Sequence, residues 1–503
     1  MKKKQKRAVR LIAIVLAALL ALGAIVSAVL SMAYAEETRQ DAPVQCTLKM
    51  EYMEQEQALR ISQRLLYTNT ADTQLDRLIF YVPANMFRRE SALMYDADSI
   101  ETAFSHGYAP GGIELLSVLV NGESADYGFQ GDDEIYLRVA CDIASGETCT
   151  IDLEYYLLYT QNNAFIGCDD LDVRLSNFFF IPARYDAENM DFVLHTPLHF
   201  TRYIDSPRMN IQAEITLPDT YTLAGTGTET ASEPENHACL WRIDAQDVHD
   251  FALIFGRRYR ESEIVTNSGV RVRSMMNKRS VAATVLDAAQ EGIETLEAWF
   301  GEMPFKQIDI VQSDYGVNAL ENTACLWLNE SVLSDKTELR HEIYYFIAQQ
   351  YFGCSAYAEP SADAWLSDAV SEYVCYLIIE ETQGHDAYLS ELNENVVPAL
   401  QLTVPGGVNV VSDASLFDEN DYWIVIRDRG AAVFHELRTS MGLDDMFKGL
   451  KLFYELGQQK DVLTEMDLLH SFNEASGSDW EKFLTDWVFN IGDYVDQQID
   501  FLD

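Results

Sequence analysis

The apolar residues change their period near residue 265, and this change constrains the fold more than any other feature. Before it, RLIFYVPA, GIELLSVLVNG, EIYLRVACDI, TCTIDLEYYLLYT and MNIQAEITLP alternate apolar with polar residues, or run rich in Tyr, Val and Ile. Each run is bounded by Gly, Pro, Asp or Asn. Side chains along a strand point to opposite faces in turn, so these runs predict strands with a buried face. After it, VAATVLDAAQEGIETLEAWFG, TELRHEIYYFIAQQYFG, AWLSDAVSEYVCYLIIEE, DRGAAVFHELRTSMG, LDDMFKGLKLFYELG and DWEKFLTDWVFNIG place apolar residues at helical spacing. VRVRSMM, IDIVQSD and the loop-and-strand NALENTACLWLNES interrupt the helices early on. The expected fold class is α+β and multidomain: an N-terminal antiparallel β-sandwich over residues 36–264, then a helix-rich domain over 265–503. A length of 503 residues exceeds one ordinary domain and fits this division.

Residues 1–35 stand apart. MKKKQKRAVR holds six basic and no acidic residues, and an apolar run from Leu11 to Met32 leads to Ala33-Tyr34-Ala35. A basic start, an apolar stretch and an A-x-A site form a secretory signal, and the stretch is also long enough to span a bilayer. Residues 1–35 are therefore expected to be a cleaved signal or an N-terminal membrane anchor. Either leaves the body outside the cytoplasm, secreted or anchored, because the basic end stays inside.

The whole chain has 36 Lys+Arg against 80 Asp+Glu, a net charge of -44; beyond the leader the count is 30 against 80. No nucleic-acid partner is expected, because phosphates must be neutralised by Lys and Arg. An anionic membrane surface is disfavoured for the same reason, while cationic ligands are modestly favoured. Eight Cys are too sparse for a disulfide scaffold, although an exported chain can oxidise some of them. Cys141 and Cys149 flank IASGET and are the nearest local pair, with connectivity left open. No C-x-x-C occurs, so zinc ribbons and thioredoxin chemistry have no support.

Helix-borne zinc sites need two His at i and i+4 on one face, a Glu after the first His to activate the bound water, and a third ligand from a later helix. The stretches NALENTACLWLNES, IAQQYFG and WLSDAVSEY, in that order, give the outline of such a site. They resemble the membrane alanyl aminopeptidase family of gluzincins, which has a GAMEN-type loop, an H-E-x-x-H helix and a later Glu in a WLNEG-type helix. The resemblance implies a saddle-like sandwich, seen in FFFIPARYD and EITLPDTYTLAGTG, followed by a thermolysin-like domain. IAQQYFG matches the family's LAHQWFG, which puts the two His positions at Tyr345 and Gln349 and the general base at Phe346. Eighteen residues separate Gln349 from Asp368, which stands at the third ligand position. Ala319-Leu320-Glu321-Asn322 matches the GAMEN loop. The resemblance thus implies that Glu321, with Ala319 and Asn322, binds substrate, Glu321 taking the free α-amine. Arg427 stands where the family has its oxyanion-stabilising Tyr.

The departures fall on the chemistry. Tyr is a poor zinc ligand near neutral pH, Gln offers one neutral oxygen, and Phe346 cannot accept a proton. The expected function is therefore an extracytoplasmic aminopeptidase-like protein without catalysis. It would hold a peptide or protein partner, by a free N-terminus, in the inherited cleft. No cofactor is expected, and membrane contact is expected only through an uncleaved leader. Two alternatives stand beside this: an active zinc peptidase with a rearranged site, and a structural module of a membrane assembly. The rearranged site would use His341 and Glu342, which begin H-E-I-Y-Y one turn earlier on the same stripe as Tyr345 and Gln349. The simpler reading makes His341 and Glu342 ordinary first-turn residues. His195 and His199 have the i,i+4 count, but Pro197 opposes a helix there. His435 has no evident partner. Tyr344, Tyr345, Phe346, Tyr351 and Phe352 read as core more readily than as an aromatic groove.

Overall fold

The computed structural model describes residues 44–490, apart from 89–102, 105–106, 132, 171, 196–197, 199–203, 317 and 405–406. The leader, His199 and residues 491–503 lie outside the described residues. The first half is built on an eight-stranded sheet. Its spatial order is Thr228–Ala231, Ala238–Val248, Met209–Pro218, Val44–Met53, Ala58–Thr68, Thr148–Leu158, Gly112–Val120 and Glu123–Ser124. The alternation expected from the sequence is present. Val44, Cys46, Leu48 and Met50 are buried, while Gln45, Lys49 and Glu51 are exposed.

Two four-stranded sheets share one apolar core with this sheet. The strand Ala252–Gly256 is buried at every residue, as expected for a strand enclosed on both faces. The expectation of a wholly antiparallel sandwich is corrected at one pairing. Val44–Met53 runs parallel to Met209–Pro218, from Val44 opposite Met209 to Glu51 opposite Thr216. Parallel neighbours need a long connection, and most of the domain's chain lies between these two strands.

A five-stranded sheet then joins the halves, in the order Arg260–Val265, Arg271–Met276, Gln307–Gln312, Cys325–Leu328 and Ala319–Asn322. Its inner pairings are parallel and its two edge pairings antiparallel. The period of two splits its side chains between two cores. Ile308, Ile310, Leu326 and Leu328 face the helical core, whereas Val311, Cys325 and Trp327 join the β core. The sheet is thus a wall common to both halves. Buried ions fasten it: Asp309 Oδ1 accepts from Arg273 Nε at 2.9 Å, and Asp309 Oδ2 accepts from Gly225 N at 3.1 Å.

Four helices matter for the site. Helix α1 (Arg279–Phe300) buries Val285, Ala289, Ile293, Leu296 and Phe300 and ends at Gly301, whose φ of 101° suits glycine. Helix α2 (Lys336–Gln349) starts at Asp335, which caps the N–H groups of Thr337 and Glu338 and so satisfies two orphan donors. It runs between α1 and helix α3 (Trp365–Gln383). Every residue of α2 from His341 to Gln349 is buried, and so is every residue of α3 from Trp365 to Ile379. Helices with no polar face belong inside a large domain. A π-helical turn, Trp423–Arg429, leads into helix α4 (Gly430–Met441) against α3. Gly430 allows that approach, because a Cβ there would overlap the Cβ of Ala369. Among the described residues, no helix is long and apolar enough to cross a membrane.

Candidate functional site

Three elements bring their side chains to one place. On α2, His341, Tyr345 and Gln349 recur every four residues and share a stripe. On α3, Asp368 and Glu372 do the same. The chain ahead of α4 supplies Tyr422, Trp423 and Arg427.

The three positions expected to be metal ligands are bonded to one another. The Gln349 amide Nε2 donates to the Tyr345 hydroxyl at 2.6 Å and to Asp368 Oδ1 at 2.7 Å. The other Asp368 oxygen accepts from the Tyr422 hydroxyl at 2.5 Å. All four residues are buried. Zinc takes thiolate, imidazole or carboxylate. A phenol, an amide and one carboxylate, with their polar atoms committed to each other, do not fit it. Among the described residues, no group of three or more His, Cys, Asp or Glu is placed to hold a metal ion. Phe346 is completely buried in the helical core, so it neither lines a cleft nor carries a proton-accepting group.

One turn towards the start of α2, the same helices carry ions. Glu372 is buried and accepts from Arg427 Nε at 2.7 Å. His341 Nε2 lies 3.0 Å from the other Glu372 oxygen, and Nδ1 lies 3.2 Å from Glu391. Arg427 Nη2 is 2.8 Å from the same His341 Nε2 and 3.9 Å from Glu342. His341 Nε2 therefore faces one neighbour that needs a donor and one that needs an acceptor. The hydrogen bond from Arg427 suits a neutral Nε2, whereas the surrounding carboxylates favour the protonated ring. Burial alone would depress the His341 pKa, but Glu372 and Glu391 overcome it and raise it to about 10. Burial would likewise raise Glu372, but Arg427 and His341 hold it down to about 2. Asp428, beside them, is pushed up to about 7 by burial and by the charge of Glu372. The Arg427 guanidinium carbon lies 4.2 Å over the Tyr345 ring, a cation–π contact. His341 and Glu342 are thus not ordinary first-turn residues. They belong to a buried ion network that already engages both imidazole nitrogens.

This network forms the floor of a cleft of about 590 Å³. Nine carboxylate residues line it: Glu321, Asp335, Glu338, Glu342, Glu372, Glu391, Glu394, Glu419 and Asp428. Arg427 and His341 are the basic groups of the lining. Ala319 and Glu321 alternate towards the cleft from the edge strand and are half-buried. Asn322, expected beside the substrate, is corrected: the same alternation turns it away. It is fully buried and accepts from Ser176 Oγ at 2.6 Å in the opposite half.

The remaining candidates have structural partners. His195 Nδ1 lies 3.1 Å from the Tyr81 hydroxyl in the first half of the chain. His435 meets the Tyr388 hydroxyl at 2.5 Å, and burial lowers its pKa to about 4. Tyr344, Tyr345, Phe346, Tyr351 and Phe352 are fully buried and form core, not a groove. Cys141 and Cys149 are separate thiols. Glu372, Glu391, Tyr422, Trp423 and Asp428 escaped the sequence reading. Only Glu372 had a signal, standing one helical turn beyond Asp368.

Known proteins carry the same architecture. Residues 284–487 match the peptidase family M1 domain. Aminopeptidase M1-B of Oryza sativa subsp. japonica is 24% identical over 249 residues, which is 46% of this chain and 28% of that protein. The match thus spans under a third of that relative's length. The M1 zinc metallopeptidase from Deinococcus radiodurans superposes with a TM-score of 0.61 at 16% identity, covering 90% of this chain and 95% of that one. A two-domain M1 zinc metallopeptidase mutant bound to L-arginine superposes equally, with a TM-score of 0.61, 16% identity and the same coverage of 90% and 95%. These structures share the sheet-rich half and the helical half described above.

Proposed function

We propose that this chain, which carries a peptidase family M1 domain over residues 284–487, is an aminopeptidase-like binding protein. Its cleft holds the cationic amino terminus of a peptide without cleaving it. The reading is carried by the mutual hydrogen bonding of Tyr345, Gln349, Asp368 and Tyr422. Side chains that satisfy one another have no reason to recruit a metal, and Phe346 offers no base to draw a proton from water. Holding an ammonium group needs neither. It needs negative charge in a partly enclosed space, which the nine carboxylates of the cleft supply, with Glu321 at the edge strand. A mutant M1 zinc metallopeptidase of similar fold was solved with L-arginine, which supports a basic residue at the ligand's terminus. The basic-then-apolar leader supports a location outside the cytoplasm.

The test is metal content and binding on the same sample. Full-length protein from zinc-supplemented growth is expected to carry zinc well below one per chain, to leave Arg-Ala intact and to bind it in calorimetry. Stoichiometric zinc with chelator-sensitive cleavage of Arg-Ala overturns the reading. A reverse experiment addresses the register. The triple variant Tyr345→His, Gln349→His, Asp368→Glu rebuilds a two-imidazole, one-carboxylate set and is expected to gain zinc.

A further inference from the structure

We propose that Asp250 and Ser176, in the sheet-rich half, are positioning residues for the cleft. They hold the edge hairpin whose strand carries Glu321, so the first half of the chain governs how firmly the cleft grips an amine. This rests on the reading of the cleft as an amine-binding site.

Strands Ala319–Asn322 and Cys325–Leu328 pair with Asn322 opposite Cys325, which leaves a two-residue turn, Thr323-Ala324. Ala324 has a φ of 58°, in the left-handed region, and Thr323 does not. Two-residue hairpins favour turns whose first central residue has a positive φ, because their twist matches that of the strands. A positive φ at the second central residue alone calls for glycine, since a Cβ strains it. The chain has alanine here, so the turn is not one that its local sequence prefers. Strained backbone persists where its surroundings over-determine it, and such places cluster at functional sites.

The surroundings of this turn act from both halves. From the sheet-rich half, Asp250 Oδ1 accepts from Thr323 N at 2.9 Å, and Ser176 Oγ donates to Asn322 Oδ1 at 2.6 Å. From the helical half, Gln350, just beyond α2, accepts from Ala324 N through Oε1 at 2.7 Å. The wall completes the set, because Asp309 N donates to Ala324 O at 2.9 Å. Asn322, Thr323, Ala324, Asp250, Ser176 and Gln350 are all buried. Ser176 pairs with Ala252, two residues past Asp250, so both clamps stand at one end of the same four-stranded sheet. Neither Asp250 nor Ser176 lines the cleft, whereas Glu321 does, directly before the clamped Asn322. The strand of Glu321 is at the sheet edge and paired on one side only, so the turn at its end fixes its place. A carboxylate ordered in advance lowers the cost of binding.

Calorimetry with Arg-Ala on the full chain tests this through a double-mutant cycle. Asp250→Ala is expected to weaken binding about tenfold, the worth of a hydrogen bond to a charged acceptor. Asp250→Asn keeps Oδ1 as an acceptor and is expected to bind within about twofold of the wild type. In a Glu321→Gln background, Asp250→Ala is expected to add less than about twofold, because the carboxylate it positions is gone. Equal losses in both backgrounds, no loss in either, or failure of Asp250→Asn to restore affinity overturn the role of Asp250 and leave the amine-binding reading standing. Failure of the wild type to bind Arg-Ala, or unchanged binding by Glu321→Gln, overturns both. Amide exchange gives a readout without ligand. Residues 319–328 are expected to exchange faster in Asp250→Ala than in the wild type while α2 stays unchanged, and equal exchange overturns the positioning role. If Asp250→Ala does not fold, Ser176→Ala enters the same cycle and exchange measurement, with the same outcomes deciding.

Discussion

One helical turn separates two ways of burying polar groups on the same pair of helices. In the deeper tier, Tyr345, Gln349, Asp368 and Tyr422 are joined by uncharged donors reaching a single carboxylate. In the tier nearer the cleft, His341, Glu342, Glu372, Glu391 and Arg427 are joined as ions. The difference follows from what each tier faces. The deeper one is packed into the helical core, where unpaired charge is most costly, and an amide with two phenols closes it with few ions. The other borders a cleft whose lining is acidic, so cations beside it neutralise some of its carboxylates. Positive charge in this cleft is thus supplied by an arginine and a histidine of the chain itself.

The sharpest way to break this contrast is to remove the central cation. Arg427→Met leaves Glu372, with 1% of its side chain exposed, without its guanidinium partner. Breaking one side of a buried pair costs about 3–5 kcal/mol, so urea unfolding should show a loss of that order. The double variant Arg427→Met, Glu372→Gln should recover most of it, because no buried charge is then orphaned. A single variant as stable as the wild type would mean that the ion tier is wet and loosely held.

The second test is pH. The folded pKa of His341 is raised, to about 10, so its contribution is fully present below about 6.5 and lost as pH rises towards 10. Asp428, raised to about 7, acts in the same direction, since its charged form is disfavoured in the fold. Glu372 is depressed to about 2, so its contribution is present above about 4.5 and fades as pH falls towards 2. For these groups stability should therefore be greatest near about pH 4–5, decline to about pH 7 as Asp428 is held protonated, and fall further towards about pH 10 with His341. His341→Gln should flatten the alkaline limb by roughly 2–3 kcal/mol between about pH 6.5 and 9. An unchanged limb would show that His341 is neutral and that Arg427 donates to its Nε2.

How much of this was legible in the sequence depends on the range of the interaction. The two halves, the edge strand of Glu321 and the stripe of His341, Tyr345 and Gln349 follow from periods of two and about four, which local sequence records. The parallel pairing of Val44–Met53 with Met209–Pro218 does not, because it joins strands more than 150 residues apart. The face of Asn322 was hidden for a different reason. A short edge strand gives a period but no sign of which side meets the cleft, and only the Ser176 bond from the other half settles it. The ion tier was hidden because its members come from α2, α3, the segment carrying Glu391 and the turn before α4. Their meeting depends on how the helices pack, not on spacing within any one of them.

The smallest expected effect belongs to the deeper tier and bears most directly on the contrast. Gln349→Met keeps the volume and the apolar contacts but removes both amide donors. The Tyr345 hydroxyl and one Asp368 oxygen then each lose a bond, while Tyr422 still serves the other Asp368 oxygen. Leaving buried acceptors short of a donor costs about 1–2 kcal/mol once the remaining bonds are counted. Because an amide gains or loses no proton, this cost should stay constant from about pH 5 to 9, in contrast to that of His341→Gln. Chemical unfolding of both variants across that range separates the tiers. A Gln349→Met cost that grew with pH would make the deeper tier ionic as well, and the two tiers would then be one charged network.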